Sequence, residues 1–197
     1  MTDKSQNTDY GKVYENGMLV FERLLPGPLE KVWAYIVDGD KRARWFSSGN
    51  IPSQAGQYFT MTFNHTQLSG EVAPERFSVM REPVSFDVKL LSIDAPHQVS
   101  FTWPEGDEAS EDEIATVTIT LTPQDDKVLL RLTQTNPRIR RDLIIDYLGG
   151  WHSHLGIFED VANNRPPRPF WTTHAAIEAH YQQIPDDKLL SLPLPPA

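Results

Sequence analysis

The chain of 197 residues has the size of one ordinary domain, and with 39% hydrophobic and 10% aromatic residues it can fill a core without disulfides or a structural metal. It contains no cysteine, which excludes disulfides, thiolate nucleophiles and cysteine-ligated zinc. A formal net charge of −9 argues against nucleic acid and anionic membrane surfaces as partners, because both are bound through a basic face.

The sequence predicts neither export nor insertion into a membrane. Residues 2–12 are polar and charged and lack the apolar stretch of a signal peptide. Nowhere does the chain reach the ~20 apolar residues that a membrane-spanning helix needs. We therefore expect a cytoplasmic protein.

A strand and two helical segments open the patterned part of the chain. Residues 18–25 mix β-branched, aromatic and charged side chains and predict a strand that ends at residues 26–28 (PGP). The last of these prolines suits the first position of a helix, and residues 29–37 place apolar side chains at helical spacing. Asp40 can cap a second, short helix over residues 41–46.

The hydrophobic period then changes to the alternation that is typical of strands. Successive segments each have one apolar and one mostly polar face. These segments are residues 59–63, 84–90, 99–103, 115–121 and 128–132. Strands of this kind predict an antiparallel sheet that is covered on its apolar face only.

The longest predicted helix follows the sheet and can cover that face. Asn136 and Pro137 offer a cap and a first helical residue. An apolar stripe runs through Ile144, Leu148, Trp151, Leu155 and Phe158. Gly149 and Gly150 lie in the middle of the helix, and we expect them to allow close approach of its backbone to the sheet, or a slight kink.

A proline-rich segment, residues 165–169, ends this helix, and a last helix is predicted over residues 173–184. Phe170, Trp171 and Tyr181 are costly to expose in a terminal segment, so they dock on the domain or contact a second copy in a homodimer. We favour docking. The predicted division is a flexible N-terminus (1–16), one domain (17–163), a docked helical extension (164–184) and a flexible tail (185–197).

Three stretches resemble a known family. Residues 92–103 (SIDAPHQVSFTW) resemble the I-x-x-P-x-x-L/V-x-F-x-W hairpin of the bacterial Hsp90-ATPase-activator-like (AHSA1-type) family. Gly150-Trp151 resembles the Gly-Trp of that family's C-terminal helix, and residues 170–181 are similar to a tail that some members carry. The order of elements over residues 18–184 is that of the wider START/Bet v 1-like (SRPBCC) superfamily.

This resemblance implies an α+β helix-grip fold, in which a curved antiparallel sheet wraps around a long C-terminal helix, here with an extra C-terminal helix. Such a fold can enclose a cavity between the sheet and the long helix. The residues expected to line it are Phe59, Met61, Phe86, Val88, Phe101 and Trp103 from the sheet, Tyr147, Leu148, Trp151 and Leu155 from the helix, and Trp45 and Phe46 near the mouth. The alternative is that these side chains pack into a solid core.

The histidine spacing predicts no metal site and no cofactor. His152 and His154 are two residues apart and point away from each other on a helix, so they cannot chelate one ion together. His174 and His180 are six apart, which also differs from the spacing of a helical metal pair.

No catalytic constellation is evident either, since there is no G-x-S-x-G elbow and no glycine-rich phosphate loop. A general base at His152 or His154, oriented by Asp146 or Glu159, stays an alternative to two surface histidines, which we favour.

Three functional hypotheses follow. The first is a binding protein for a hydrophobic or aromatic small molecule, oriented by Tyr147 and His154. The second is an interaction protein, such as an Hsp90 co-regulator or a stress-response factor, although Hsp90 is suggested by the family name and by no residue. The third is an enzyme of the cyclase or hydratase kind, which requires titratable groups in the cavity. Without a catalytic constellation, we favour binding.

Overall fold

The computed structural model describes residues 10–103, 114–136, 139–190 and 192–194. The strands are β1 (Lys12–Val13), β2 (Leu19–Pro26), β3 (Tyr58–Phe63), β4 (Val84–Asp94), β5 (Gln98–Trp103), β6 (Ala115–Gln124) and β7 (Lys127–Thr135). The helices are α1 (Leu29–Val37), α2 (Gly39–Arg42), α3 (His65–Ser69), α4 (Arg141–Ala162), α5 (Phe170–Gln182) and α6 (Asp186–Leu189), with a 3-10 segment at Glu75–Arg81 between α3 and β4. Within these ranges, no helix is long and apolar enough to cross a membrane.

The strands form one curved antiparallel sheet in the order β1-β2-β7-β6-β5-β4-β3. Alternation explains its two faces: in β6, Val117 and Ile119 are buried, whereas Thr116 and Thr118 between them are half-buried. On the outer face, hydroxyls pair across strands, as in the 2.6 Å contact between the Oγ1 atoms of Thr116 and Thr135. The predicted α+β helix-grip fold is confirmed, because α4 lies on the apolar face of this sheet.

A chain of buried polar groups ties α4 to the sheet. The Nε1–H of Trp151 donates to Oε1 of Gln134 on β7 at 2.5 Å, and Nε2 of Gln134 donates to Oδ1 of Asn136 at 2.7 Å. Nδ2 of Asn136 then donates to the carbonyl of Gly17 at 2.8 Å. Asn136 is therefore engaged with the sheet and does not cap the helix. The predicted start of α4 is wrong, since the helix begins at Arg141, and Pro137 lies outside the described residues.

The ends of two other elements also differ from the prediction. Helix α2 begins earlier than expected because the carboxylate of Asp38, not Asp40, caps it by accepting from the N–H groups of Asp40 (3.0 Å) and Lys41 (3.2 Å). Strand β2 is shifted by one residue, to Leu19–Pro26. No periodic pattern predicted α3 or the 3-10 segment.

Parts of both chain ends contact the rest of the fold. Val13, in the segment predicted to be flexible, is buried, and its strand β1 pairs with β2. Tyr14 forms a parallel bridge with Leu192, which lies in the predicted flexible tail. The hydroxyl of Tyr181 on α5 donates to the carbonyl of Gly11 at 2.9 Å. These contacts form because Val13 and Tyr181 remove apolar surface from water.

Helix α5 approaches α4 closely at a glycine, and a carboxylate of α4 holds the turn between the two helices. A Cβ built at Gly149 would lie 3.0 Å from Nε2 of His174 on α5. The glycine therefore allows close approach of α5, whereas we had predicted close approach of the sheet. The buried Asp160 holds the turn between the two helices, because it accepts from Nε of Arg168 at 2.7 Å and from Nη2 of Arg165 at 3.0 Å.

The contact between Trp151 and Gln134 generates the first prediction. Trp151 is 3% exposed, so Trp151→Ala should lower the free energy of unfolding by ~3–5 kcal/mol through lost burial and a cavity. Trp151→Phe keeps most of the ring but leaves the amide oxygen of Gln134 without its donor, which should cost ~1–3 kcal/mol. Urea unfolding followed by circular dichroism measures both. An unfolding free energy of the alanine variant equal to that of the parent would show that this face of α4 does not hold the fold.

Candidate ligand-binding cavity

A cavity of about 210 Å³, partly open to solvent, lies between the sheet and the helices. One side, here called the aromatic wall, consists of Phe46, Phe63, Phe86, Trp103 and Trp151. The adjoining part, here called the imidazole wall, consists of His65, His154, Phe170, Trp171 and His174. Phe77, Met80, Asp146, Tyr147 and Gly150 complete the lining.

The aromatic wall is a continuous set of ring contacts. The ring of Trp151 lies 4.9 Å from that of Phe46 and 5.4 Å from that of Trp103, between ring centroids. Phe86 meets Trp103 edge-on at 5.7 Å and stacks on Phe63 at 5.2 Å. Such a surface favours a flat apolar ligand through dispersion and offset stacking.

A buried guanidinium positions the part of this wall that precedes β3. Arg42 donates to the carbonyls of Ile36 (2.8 Å), Ser48 (3.3 Å) and Gly49, and burial lowers its pKa to about 10. These bonds join the end of α1 to the loop after α2, and Trp45 and Phe46 lie between the two. No pattern in the sequence indicated that this arginine is buried, because it lies in the predicted short helix over residues 41–46 with other charged residues.

Helix α5 brings its first turn to the cavity because another part of the chain caps it. Its own N-cap residue, Pro169, provides no side-chain hydrogen bond. The carboxylate of Glu71 accepts from the N–H groups of Trp171 (2.7 Å) and Thr172 (3.3 Å), and Oγ of Ser69 accepts from the N–H of Phe170 (3.0 Å). A carboxylate at a helix N-terminus also stabilises the helix dipole. For this reason α5 starts at Phe170, before the predicted Thr173.

His154 is held in one tautomer. Its Nδ1 lies 2.9 Å from the carbonyl oxygen of Trp45, which can only accept, so Nδ1 carries the proton. Burial, together with the neighbouring His65, lowers the pKa of His154 well below its usual value. The ring is therefore neutral at pH 7, and its Nε2 is a hydrogen-bond acceptor.

Two further nitrogens of the imidazole wall lack partners. Nδ1 of His65 and Nε1 of Trp171 are buried and make no hydrogen bond within the described ranges. The ring of His65 lies 5.2 Å from that of Trp171 and 5.4 Å from that of His154, between centroids. Burial, with a contribution from His174, lowers the pKa of His65 to about 4, so this ring too is neutral at pH 7.

A charged cluster fastens the 3-10 segment over the rim of the cavity. Arg76 lies 2.7 Å from a carboxylate oxygen of Glu178 on α5 and 3.8 Å from one of Asp146 on α4. His174 lies between the same two carboxylates, at 3.6 Å and 3.7 Å respectively. Burial lowers the pKa of His174 against the opposing effect of Glu178, and burial, reinforced by Glu178, raises the pKa of Asp146.

The structure places five of the predicted cavity residues in the lining, namely Phe46, Phe86, Trp103, Tyr147 and Trp151. The remaining seven pack in the core away from the cavity, namely Trp45, Phe59, Met61, Val88, Phe101, Leu148 and Leu155. For α4 the reason is rotation: the lining residues 147, 150, 151 and 154 share one face at helical spacing, and Leu148 and Leu155 lie on the next.

The expectation that His152 and His154 lie on the surface is wrong, since both are buried, and His174 is buried as well. The predicted carboxylate partners are also wrong. Asp146 lies beside His174, and Glu159 lies beside Arg165, at 3.4 Å. Within the described part of the chain, no group of three or more His, Asp or Glu side chains could hold a metal ion.

Sequence reasoning missed His65, Phe77 and Met80, which come from segments without hydrophobic periodicity, and the contribution of α5. The sequence did contain an indication that α5 contributes to the cavity, since Phe170, Trp171 and His174 fall on one face of a helix at i, i+1 and i+4.

Comparison with known proteins identifies the family. Residues 26–163 match the family model for activator of Hsp90 ATPase homolog 1-like protein. The chain belongs to this family. The prediction that this chain is an AHSA1-type member of the START/Bet v 1-like superfamily is thus confirmed. The family model names no ligand.

Solved structures agree with this assignment. The protein encoded by gene BPP1335 from Bordetella parapertussis is 39% identical, with a TM-score of 0.74 over 84% of this chain and 85% of that one. CalU16 from Micromonospora echinospora (14% identity, TM-score 0.59, 88% and 92% covered) and EF2215 from Enterococcus faecalis (15% identity, TM-score 0.62, 89% of each) share the fold alone. No curated protein matches the chain.

The buried histidines predict a loss of stability in mild acid. The pKa values of His65 and His152 fall from 6.5 in the unfolded chain to about 4 in the folded one, so below pH 6.5 the unfolded state binds more protons. The free energy of unfolding should therefore decrease as the pH falls from about 6.5 towards 4, by up to ~1.4 kcal/mol per pH unit for each histidine. Asp146, with its raised pKa, opposes part of this change.

Urea unfolding at several pH values between 7.5 and 5 measures this slope, and His65→Gln should make it shallower by removing one titrating group. An unfolding free energy that stays constant over this range would contradict the burial of neutral histidines.

Proposed function

We propose that this AHSA1-type protein binds a compact aromatic molecule in the cavity between its sheet and its long helix. The observation that carries the proposal is the pairing of a continuous aromatic wall with a few nitrogen-bearing rings around an open volume of about 210 Å³. Mostly apolar surfaces with a small number of polar groups are typical of small-molecule sites.

The cavity volume limits the size of the ligand. An engineered protein cavity of ~150 Å³ takes up benzene, and pockets for drug-sized ligands begin at ~300 Å³. About 210 Å³ therefore suits one or two fused rings, or the end of a longer molecule that reaches through the open side. Burying such a ring system at ~25 cal/mol per Å² supports micromolar affinity after the cost of association.

Binding of naphthalene tests the proposal, and Gly150 offers a matched pair of variants. This glycine lines the cavity, and a Cβ built on it meets no atom within 4 Å. Gly150→Leu should fill the cavity and weaken naphthalene binding at least ~tenfold, whereas Gly150→Ala should keep most of the volume and the affinity. Both should fold, because replacing a helical glycine gains up to ~1 kcal/mol.

Heteronuclear NMR titration measures the dissociation constants, and the shifts should concentrate at residues of the aromatic wall. Equal affinity in the parent and the leucine variant would place the ligand elsewhere. If naphthalene does not bind the parent saturably, the proposal fails, and the hypothesis of an interaction protein is favoured instead.

A second candidate function is acid–base catalysis on the bound molecule, as in enzymes of the cyclase or hydratase kind. It is favoured by one observation, namely that His65, His154, His174 and Asp146 line the cavity, where the sequence had predicted mainly apolar residues. The neutral His154 could take a proton onto Nε2 from a carbon next to a ketone, and return one to the same carbon.

Hydrogen–deuterium exchange of the bicyclic ketone 2-tetralone tests this candidate. A catalyst should accelerate exchange of the protons next to the carbonyl, and His154→Gln should abolish the acceleration without preventing binding. Exchange at the buffer rate in the presence of the parent protein would rule the candidate out for this chemistry.

The remaining hypotheses stay predictions. They are an Hsp90 or stress-response partner and a homodimer. A cytoplasmic location remains part of our proposal and rests on the sequence alone.

A further inference from the structure

We infer that the aromatic ligand carries a hydroxyl group, and that this group lies against a polar corner formed by His65, His154 and Trp171. The inference rests on the proposed function and adds the chemical class of the ligand to it. Its basis is the hydrogen-bonding capacity that the folded chain leaves unused on one wall of the cavity.

The first unused group is a donor. Trp171 is 8% exposed, and its buried Nε1–H has no acceptor among the described residues. An indole N–H can only donate, and burying it without a partner is unfavourable. Native proteins leave few such groups, and this one belongs to a residue of the cavity lining, where a bound acceptor can pair with it.

The second unused group, Nδ1 of His65, can either donate or accept a hydrogen bond. His65 is 6% exposed, and its buried Nδ1 also lacks a partner within the described ranges. Since its ring is neutral, either nitrogen can carry the proton, and the ring centroid lies 5.2 Å from that of Trp171. The two rings therefore contact each other in the cavity lining, and a ligand substituent at their shared edge can approach both.

The third group is an acceptor. Because Nδ1 of His154 donates to the carbonyl of Trp45, its Nε2 holds a lone pair, and its ring lies 5.4 Å from that of His65. The corner therefore presents a fixed donor on Trp171, a fixed acceptor on His154 and an adaptable nitrogen on His65 between them.

A neutral hydroxyl matches this set, because it accepts one hydrogen bond and donates another. An ether or ketone oxygen accepts but cannot donate, so it would leave the acceptor of His154 unused. A carboxylate would lose its hydration in this uncharged corner, because the guanidinium of Arg76 is already paired with Glu178 and Asp146. A phenol-type molecule, such as a naphthol, is the class that fits both the corner and the volume.

A series of probes on the parent protein tests the inference: 2-naphthol, 2-methoxynaphthalene, naphthalene and 2-naphthoate. NMR titration should give 2-naphthol the lowest dissociation constant, about tenfold below that of naphthalene, as expected for one or two net hydrogen bonds. The methoxy compound should fall between them. The indole N–H resonance of Trp171, assigned by its loss in Trp171→Phe, should shift with 2-naphthol and not with naphthalene.

Matched variants locate the effect. Trp171→Phe should reduce the preference for 2-naphthol over naphthalene to about twofold. Trp33→Phe makes the same change on α1, at a residue that packs against the core and does not line the cavity, so the preference should persist.

The outcomes separate this inference from the proposed function. Equal affinity for 2-naphthol and naphthalene, or tightest binding of 2-naphthoate, would overturn the inference and leave the binding function intact. Failure of all four probes to bind the parent would overturn the proposed function itself.

Discussion

The packing of α4 against the sheet is the constraint on which both the core and the cavity depend. Trp151 lies at its centre, because its N–H is fixed by Gln134 on β7 while its ring contacts Phe46 and Trp103. Turning the helix about its axis would break this hydrogen bond where water cannot replace it, which is costly. One polar contact thus decides which face of the helix meets the cavity and which face meets the core.

Periodicity in the sequence predicted the sheet and the long helix but not the rotation of that helix. The alternation in β6 and β7 has one interpretation, since a strand has only two faces. Helix α4 is buried on several sides, against the sheet and against α5, so its apolar residues do not form a single stripe. The predicted stripe through Leu148 and Leu155 is real, but it packs in the core.

The imidazole wall could not be predicted because contacts between distant parts of the chain create it. Glu71 and the N–H of Trp171 are separated by 100 residues, and neither local sequence contains a sign of the other. The same holds for His154 and the carbonyl of Trp45, 109 residues apart. Local patterns specify elements, whereas the polar character of this site arises from how the elements meet.

The position of α5 in the chain has an evolutionary consequence. The family model ends at residue 163, yet Phe170, Trp171 and His174 lie beyond it and line the cavity. The part of the chain that matches the family model thus provides the aromatic wall, and the helix that follows it provides Phe170, Trp171 and His174 of the imidazole wall. Gain, loss or replacement of a terminal segment would therefore change one wall of the cavity while the sheet and its core stay unchanged.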